Sequence, residues 1–292
     1  MRVNFLANDI ELYWSSDEKE TIPNYALRTR VFGDVLYLIP PSGDNSSGSK
    51  VRAEIPINYN DVTYPTVHSA EELRDYLLLY SIISDGHTVA WYDSSDTEAI
   101  TKDAGTGEVS VWGDKSLNGH NLLQDTATRY PIWSANGILF DGSNDLLKTA
   151  TFVYIQPMKV YLVMKQVTWT INDVFMDGFT NSTMWLYQRT ATPQICINAG
   201  SAITNNSNLV VDTWGIVRAL FNGASSKLQV NATAATTGDA GAGNPAGITF
   251  GGNVNLTNWG NFQIKEAIFR DVADATADET TIYNYLKAKY VL

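Results

Sequence analysis

The stretch GILFDGSNDLLKTA, residues 137–150, sets Asp141, Asn144 and Asp145 between two apolar runs. Acids this close can hold a metal ion, share a proton in catalysis, or fix a turn. Calcium takes six to eight oxygens. Asp93, Asp114, Asp141 and Asp145 are the acids that could converge to supply them, which makes calcium the one candidate cofactor. The ordered D-x-D-x-D-G loop of a dedicated calcium site is absent. A turn asks for less. Asp141 and Asn144 can accept from the backbone, Gly142 can adopt a positive φ, and Asp145 then starts the next strand.

Other reactive side chains are sparse. Cys196 is the single cysteine, so neither an intrachain disulfide nor a cysteine zinc site can form, and within QICIN it reads as a buried apolar residue. His68, His87 and His120 are scattered, without metal-ligand spacing. No G-x-S-x-G elbow, HExxH helix or phosphate loop is present. Binding chemistry is better represented, with eight Trp and fifteen Tyr. In STMWLYQR, alternation puts Met184 and Leu186 on one side and Trp185 and Tyr187 on the other. If the first pair fills a core, the second presents flat aromatic surface beside Arg189. Trp169 and Trp259, on predicted loops, can rim such a surface, and Asn181, Gln188 and Asn258 can fix sugar hydroxyls. Trp185, Tyr187, Arg189 and Trp259 are therefore the candidate carbohydrate-binding residues.

These residues need elements to position them. Residues 1–86 read as a small α+β domain. ALRTRVFGDVLYLIP gives strands broken at Gly33-Asp34, and VRAEIPINY alternates as a half-buried strand. In VHSAEELRDYLLLYSII, Ser69 and Glu72 form a capping box ahead of a helical face of Leu73, Tyr76, Leu77 and Tyr80. From residue 87 to 292 short apolar segments recur, separated by Asn-Gly and Asp-Gly turns, the pattern of an antiparallel β-sandwich. Residues 233–247 are small and polar, a mobile loop or a long connection. The chain closes on a helix with Thr276 as N-cap and Glu279 as its partner. Ile282, Tyr285, Leu286 and Lys289 share one face, expected to cap the sandwich. Phe140, Val160, Leu162, Ile216, Leu220, Ile264 and Ile268 are the expected core.

A formal net charge of -11 with no Lys/Arg cluster argues against nucleic acid as a partner. No apolar run approaches the roughly 20 residues of a membrane span, so no membrane insertion is expected. MRVNFLANDIELYW contains acids and lacks a long apolar core, so it does not read as a secretory signal, and synthesis in the cytoplasm is expected.

The ordered set AWYDSSD, VWGDKSLNGHNL, GILFDGSNDLL, VYLVMK, WGIVRALFNG, ITFGG and IKEAIF resembles the concanavalin A-like, laminin-G-like lectin and glucanase superfamily. The resemblance implies a jelly-roll sandwich over residues 87–292, in which the FDG-x-x-D element joins two strands; that favours the turn over the calcium site. Glucanases of this superfamily carry E-x-D-x-x-E or E-x-D-x-E on one strand. No such run occurs here, so the chain is expected not to be an enzyme, and Glu266 in IKEAIFRD is expected to be a structural polar contact. Residues 1–86 resemble attachment modules of tailed-phage proteins, notably crAss-like ones. Together the resemblances imply a virion fibre or decoration protein, commonly trimeric. Residues 1–86 would join other virion proteins, and the lectin-like part would bind host-surface glycans. A bacterial surface adhesin is the rival expectation.

Overall fold

The computed structural model describes residues 82–292 apart from 117, 180–183 and 206, together with Leu79 and six short strands within residues 2–56. The chain divides into two compact units, residues 1–81 and 82–292. In the first, β1 (Arg2–Phe5), β2 (Asp9–Tyr13) and β3 (Lys19–Pro23) form one antiparallel sheet. β4 (Arg28–Phe32), β5 (Val35–Ile39) and β6 (Glu54–Pro56) form another. Phe32 pairs with Val35, closing the β4–β5 pair; the expected break at Gly33-Asp34 lies outside the described residues. The expected capping box and helical face at Ser69, Glu72, Leu73, Tyr76, Leu77 and Tyr80 lie outside the described residues; Leu79, Ile82 and Ile83 are helical.

The second unit is mainly β, two antiparallel sheets packed face to face. The larger has nine strands: β8 (Ile100–Lys102), β9 (Val109–Trp112), β10 (Leu122–Leu123), β13 (Leu147–Lys148), β15 (Val174–Asp177), β16 (Trp185–Gln188), β17 (Ile195–Asn198), β18 (Ala202–Thr204) and β22 (Thr249–Phe250). Their order is β18-β17-β16-β15-β22-β13-β10-β9-β8. The eight-stranded sheet holds β7 (Thr88–Asp93), β11 (Ile132–Ser134), β12 (Gly137–Asp141), β14 (Met158–Gln166), β19 (Trp214–Phe221), β20 (Ser226–Val230), β21 (Thr236–Gly238) and β23 (Asn261–Arg270). Its order is β11-β12-β23-β14-β19-β20-β21. One edge of β23 is shared: β12 pairs with Asn261–Ile264 and β7 with Glu266–Arg270.

Alternation in the long strands sends Met158, Val160, Leu162 and Met164 of β14, and Phe262, Ile264, Ala267 and Phe269 of β23, into the space between the sheets. They meet Trp112, Met176, Leu186, Ile197 and Phe250 of the nine-stranded sheet. Phe140 stacks on Phe262 at 4.8 Å between centroids. Each such side chain contributes about 1.5–3 kcal/mol on burial.

All seven expected core residues are buried, but they occupy two places. Phe140, Val160, Leu162 and Ile264 lie between the sheets; Ile216, Leu220 and Ile268 are absent from that core. Alternation puts them on the outer face of the eight-stranded sheet. There the C-terminal helix, Thr276–Tyr290, packs against β19 and buries Ile282 and Leu286. The sheet is therefore covered on both faces, which is why β14 reads MKVYLVMKQ with almost no exposed position.

Two local expectations change. The helix begins after Ala275 without a side-chain cap, so Thr276 is not the N-cap. The Glu279 carboxylate cannot close a capping box, because it is engaged by Lys159 at 2.9 Å and Arg218 at 3.3 Å. Residues 233–247 are a tied-down connection: Ala199 and Ser201 donate to Ala240, Gly243 donates to Ala199, and the Gln156 amide donates to Gly241 and Gly243.

Candidate functional site

The acidic loop that opens the sequence reading is a turn. Asp141 Oδ1 accepts from Ser143 N at 2.8 Å and Asn144 N at 3.4 Å, and Asp145 Oδ2 accepts from Asp141 N at 2.9 Å. Gly142 sits at φ 77°, and a Cβ there would meet Asn261 Cβ at 2.8 Å. Asp145 precedes β13 by two residues instead of starting it. The four acids proposed for calcium do not converge, and no group of three or more acids, His or Cys able to hold a metal occurs among the described residues. Asp141 pairs with Asn261 and Asp93 with Glu266, five residues further along β23, so the two ends stand roughly 15 Å apart at strand rise. Asp114 instead caps backbone, accepting from Trp91 N, Ser116 N and His120 N.

Asp93 belongs to a buried lock under the C-terminal helix. Lys289 Nζ donates at 2.7 Å to both Asp93 Oδ2 and Glu266 Oε2. Tyr290 OH donates to Glu266 Oε2 at 2.7 Å, Trp91 Nε1 to Glu266 Oε1 at 2.8 Å, and Lys115 Nζ to Asp93 Oδ2 at 3.1 Å. Burial alone would raise the Asp93 carboxyl, but Lys289 and Lys115 hold it well below the usual carboxylate range. Both carboxylates spend their oxygens on the chain's own donors. Glu266 is thus a structural polar contact, as its lone position in IKEAIFRD suggests, and Ala267 and Ile268 after it face opposite ways in β23.

The outer face of the nine-stranded sheet is different. The pairing register aligns two runs across it, Ala202, Asn198 and Trp185, and Asp177, Thr249, Lys148, Leu123, Val111 and Thr101; they meet where the Trp185 indole lies beside Asp177. An indole, an amide, a carboxylate, a hydroxyl and an ammonium therefore stand side by side. Lys148, Leu123 and Thr101 are exposed, Asn198, Trp185 and Val111 half-buried, and Asp177 and Thr249 buried. Asp177 gathers the flanking loops by accepting from Gly178 N at 2.7 Å and Val254 N at 3.1 Å. Burial raises its carboxyl despite those bonds. The Trp185 indole lies beside Asp177, yet its buried Nε1 has no acceptor in hydrogen-bond geometry.

Alternation in MWLY holds: Met184 and Leu186 are in the core, with Trp185 and Tyr187 on the outer face. The expected two-residue platform does not. Tyr187 is only 4% exposed, packed with Val174 and Cys196, while Trp185 lies edge-on against it at 5.3 Å. Tyr187 is the floor and Trp185 the surface. Burial first, and then Cys196, push the Tyr187 hydroxyl up to about 12. Arg189 is exposed, next to Thr190, whose carbonyl accepts from Trp169 Nε1 at 2.9 Å. Trp259 is half-buried, bridges to Val174 and lies across Gly252, so it packs a loop down. Gln188 and Asn258 are spent inside the protein, on Gln166, Thr168 and Thr170, and on Asn172. Asn181 lies outside the described residues. Cys196 is buried and free, as its sequence setting suggests. Asn198 and Lys148 were not singled out in the sequence; their signal is that they alternate with core-facing neighbours in short strands.

No family model matches the chain, and no curated protein does either. Among solved structures it is similar to a Trypanosoma rangeli sialidase in complex with sialic acid, at 9% identity and a TM-score of 0.49. The match covers 94% of this chain and 48% of the sialidase, so the chain spans about half that protein's length. It is similar to domain 4 of AbnA, a GH43 extracellular arabinanase from Geobacillus stearothermophilus, in complex with arabinotriose. There identity is 12%, coverage 68% of this chain and 98% of that one, and the TM-score 0.47. A GH54 α-L-arabinofuranosidase matches at 12% identity over 61% of this chain and 50% of its own, TM-score 0.48. These glycosidases overturn the expectation that the chain is not an enzyme, and that expectation is withdrawn. At such identities and TM-scores they assign no reaction to this chain.

Proposed function

We propose that residues 82–292 form a glycan-binding β-sandwich whose contact surface is the outer face of the nine-stranded sheet. The observation that carries this reading is Trp185 on that face, paired with Asn198 on one side and beside Asp177 on the other, whose row continues through Thr249 to Lys148. Sugar rings stack their C–H faces on an indole, while amide and charged groups take the hydroxyls. The ring of Trp185 is already seated on Tyr187, so little side-chain freedom is lost when a ligand arrives. Trp185→Ala and Asn198→Ala, measured on a glycan array, are expected to lower binding with an unchanged melting curve. Binding that survives both replacements places the site elsewhere.

In the same reading the sandwich projects from a bacteriophage virion, as a head or tail fibre or decoration protein held by residues 1–86 to other virion proteins, with three copies giving avidity for host-surface glycans. The division into two units and the sequence resemblance of each support it. Antibody labelling of purified particles tests it; a protein found only on a bacterial surface favours the adhesin reading. Release of reducing ends from the glycans that bind is the assay for turnover.

A further inference from the structure

On the outer face of the eight-stranded sheet, almost every cation that is buried or half-buried has a carboxylate. Lys159 and Arg218 share Glu279, Arg270 holds Asp85 and Asp274, Lys289 holds Asp93 and Glu266, and Lys165 holds Asp212 at 2.7 Å. Lys265 breaks the pattern: no carboxylate pairs with it among the described residues. Its Nζ lies 4.4 Å from the Trp214 ring centroid and 5.3 Å from that of Tyr290, the last residue of the C-terminal helix. Lys165 Nζ lies 5.8 Å from the centroid of the same indole. Two ammonium groups thus share one aromatic ring. The Asp212 partner of Lys165 is 73% exposed, so that ion pair is weak and free to exchange. Burial, and then Lys165, lower the Lys265 ammonium from its ordinary range. All of this sits on a chain of net charge -11, where a local pair of cations is not a by-product of overall charge.

We infer that Lys265, with Lys165 and the Trp214 and Tyr290 rings, is a binding site for the acidic group of an anionic glycan, a carboxylate or a sulfate. Aromatic faces hold the ammonium in place without neutralising it. An arriving oxyanion supplies the missing charge-assisted hydrogen bonds and relieves the repulsion between the lysines. The identity of the anion's carrier rests on the glycan-binding reading above; the unpaired cation does not.

The test is calorimetric titration of the full chain with three hexasaccharides: a hyaluronan fragment bearing carboxylates, a heparin fragment bearing sulfates, and neutral cellohexaose. One or both acidic fragments should bind more tightly than the neutral one. Lys265→Met should weaken that binding about tenfold or more, the loss expected for one hydrogen bond to a charged group. Lys265→Arg should retain most of it. Lys265→Met should also melt no lower than the parent, because it removes a half-buried charge that has no partner. The inference is overturned by equal binding of acidic and neutral fragments, by acidic binding that Lys265→Met leaves unchanged, or by a clear fall in melting temperature, which would make Lys265 a structural residue. In the first of these cases, neutral binding that depends on Trp185 leaves the broader glycan reading standing.

Discussion

The two outer faces of the sandwich solve the problem of exposed sheet in opposite ways. Over the eight-stranded sheet, a helix covers β14, β19 and β23, and buried cations meet buried acids with short bonds: Lys289 to Asp93 and Glu266, Arg270 to Asp274 at 2.7 Å. Over the nine-stranded sheet, the acids have backbone partners instead of cations, and an indole, an amide and a lysine remain at the surface. The electrostatics follow. Where cations are packed in, as at Asp93 and Asp85, carboxyls are lowered even though burial opposes it. Where they are absent, as at Asp145, Asp177 and Asp173, burial wins and carboxyls are raised. Groups that satisfy one another hold the fold together; groups left unsatisfied, across the nine-stranded sheet and at Lys265 on the other, are available to a ligand.

The strongest way to break this contrast is to remove one member of the lock. Glu266→Ala leaves Lys289 with Asp93 alone and strips the acceptor from Trp91 and Tyr290. Breaking a buried pair costs about 3–5 kcal/mol, which urea unfolding should register; a loss below 1 kcal/mol would show that the network is incidental. Leu286→Ala should cost about 2–5 kcal/mol as a buried cavity under the helix.

The pH dependence sharpens the comparison, because a buried acid without a cation and one with cations respond with opposite sign. The carboxyl of Asp145 is raised to about 7, by burial and by Asp141 and Glu108. Its contribution to stability is fully present below its ordinary value of about 4 and is lost as pH rises through about 7. Asp145→Asn should therefore flatten the decline between those limits. Asp93 is lowered, so its contribution is present above about 4 and lost as pH falls through its depressed folded value. Asp93→Asn should flatten the acid limb and leave the neutral limb alone. Melting curves across pH for both variants decide it; an Asp145→Asn profile parallel to the parent's would remove the raised carboxyl.

The smallest expected effect is at the open face. Trp185→Ala should change binding by about 0.5–1.5 kcal/mol, the scale of an aromatic contact beyond its area, with little change in stability. Unfolding of this variant would instead show that the indole belongs to the packing around Tyr187.

By itself the sequence determines the local features whose cause is local. Asn-Gly and Asp-Gly pairs mark hairpin turns, MWLY alternates as a strand, and Asp141-Gly142 folds back on its own backbone. Each depends on residues a few positions apart, so spacing is enough to read them. The tertiary structure decided what depends on distant partners. That Ile216, Leu220 and Ile268 are buried on the far side of their sheet follows from a helix elsewhere in the chain, Thr276–Tyr290, which strand alternation cannot register. That Glu279 spurns its own helix end for Lys159 and Arg218, that Tyr187 is a floor while Trp185 is a surface, and that Asn198 falls opposite Trp185 all come from contacts between elements far apart in the chain. The four aspartates that a calcium ion would need are set apart for the same reason. Pairing fixes Asp141 at the start of β23 and Asp93 at its middle, five residues further on, and a list of acids along the chain carries no such distance.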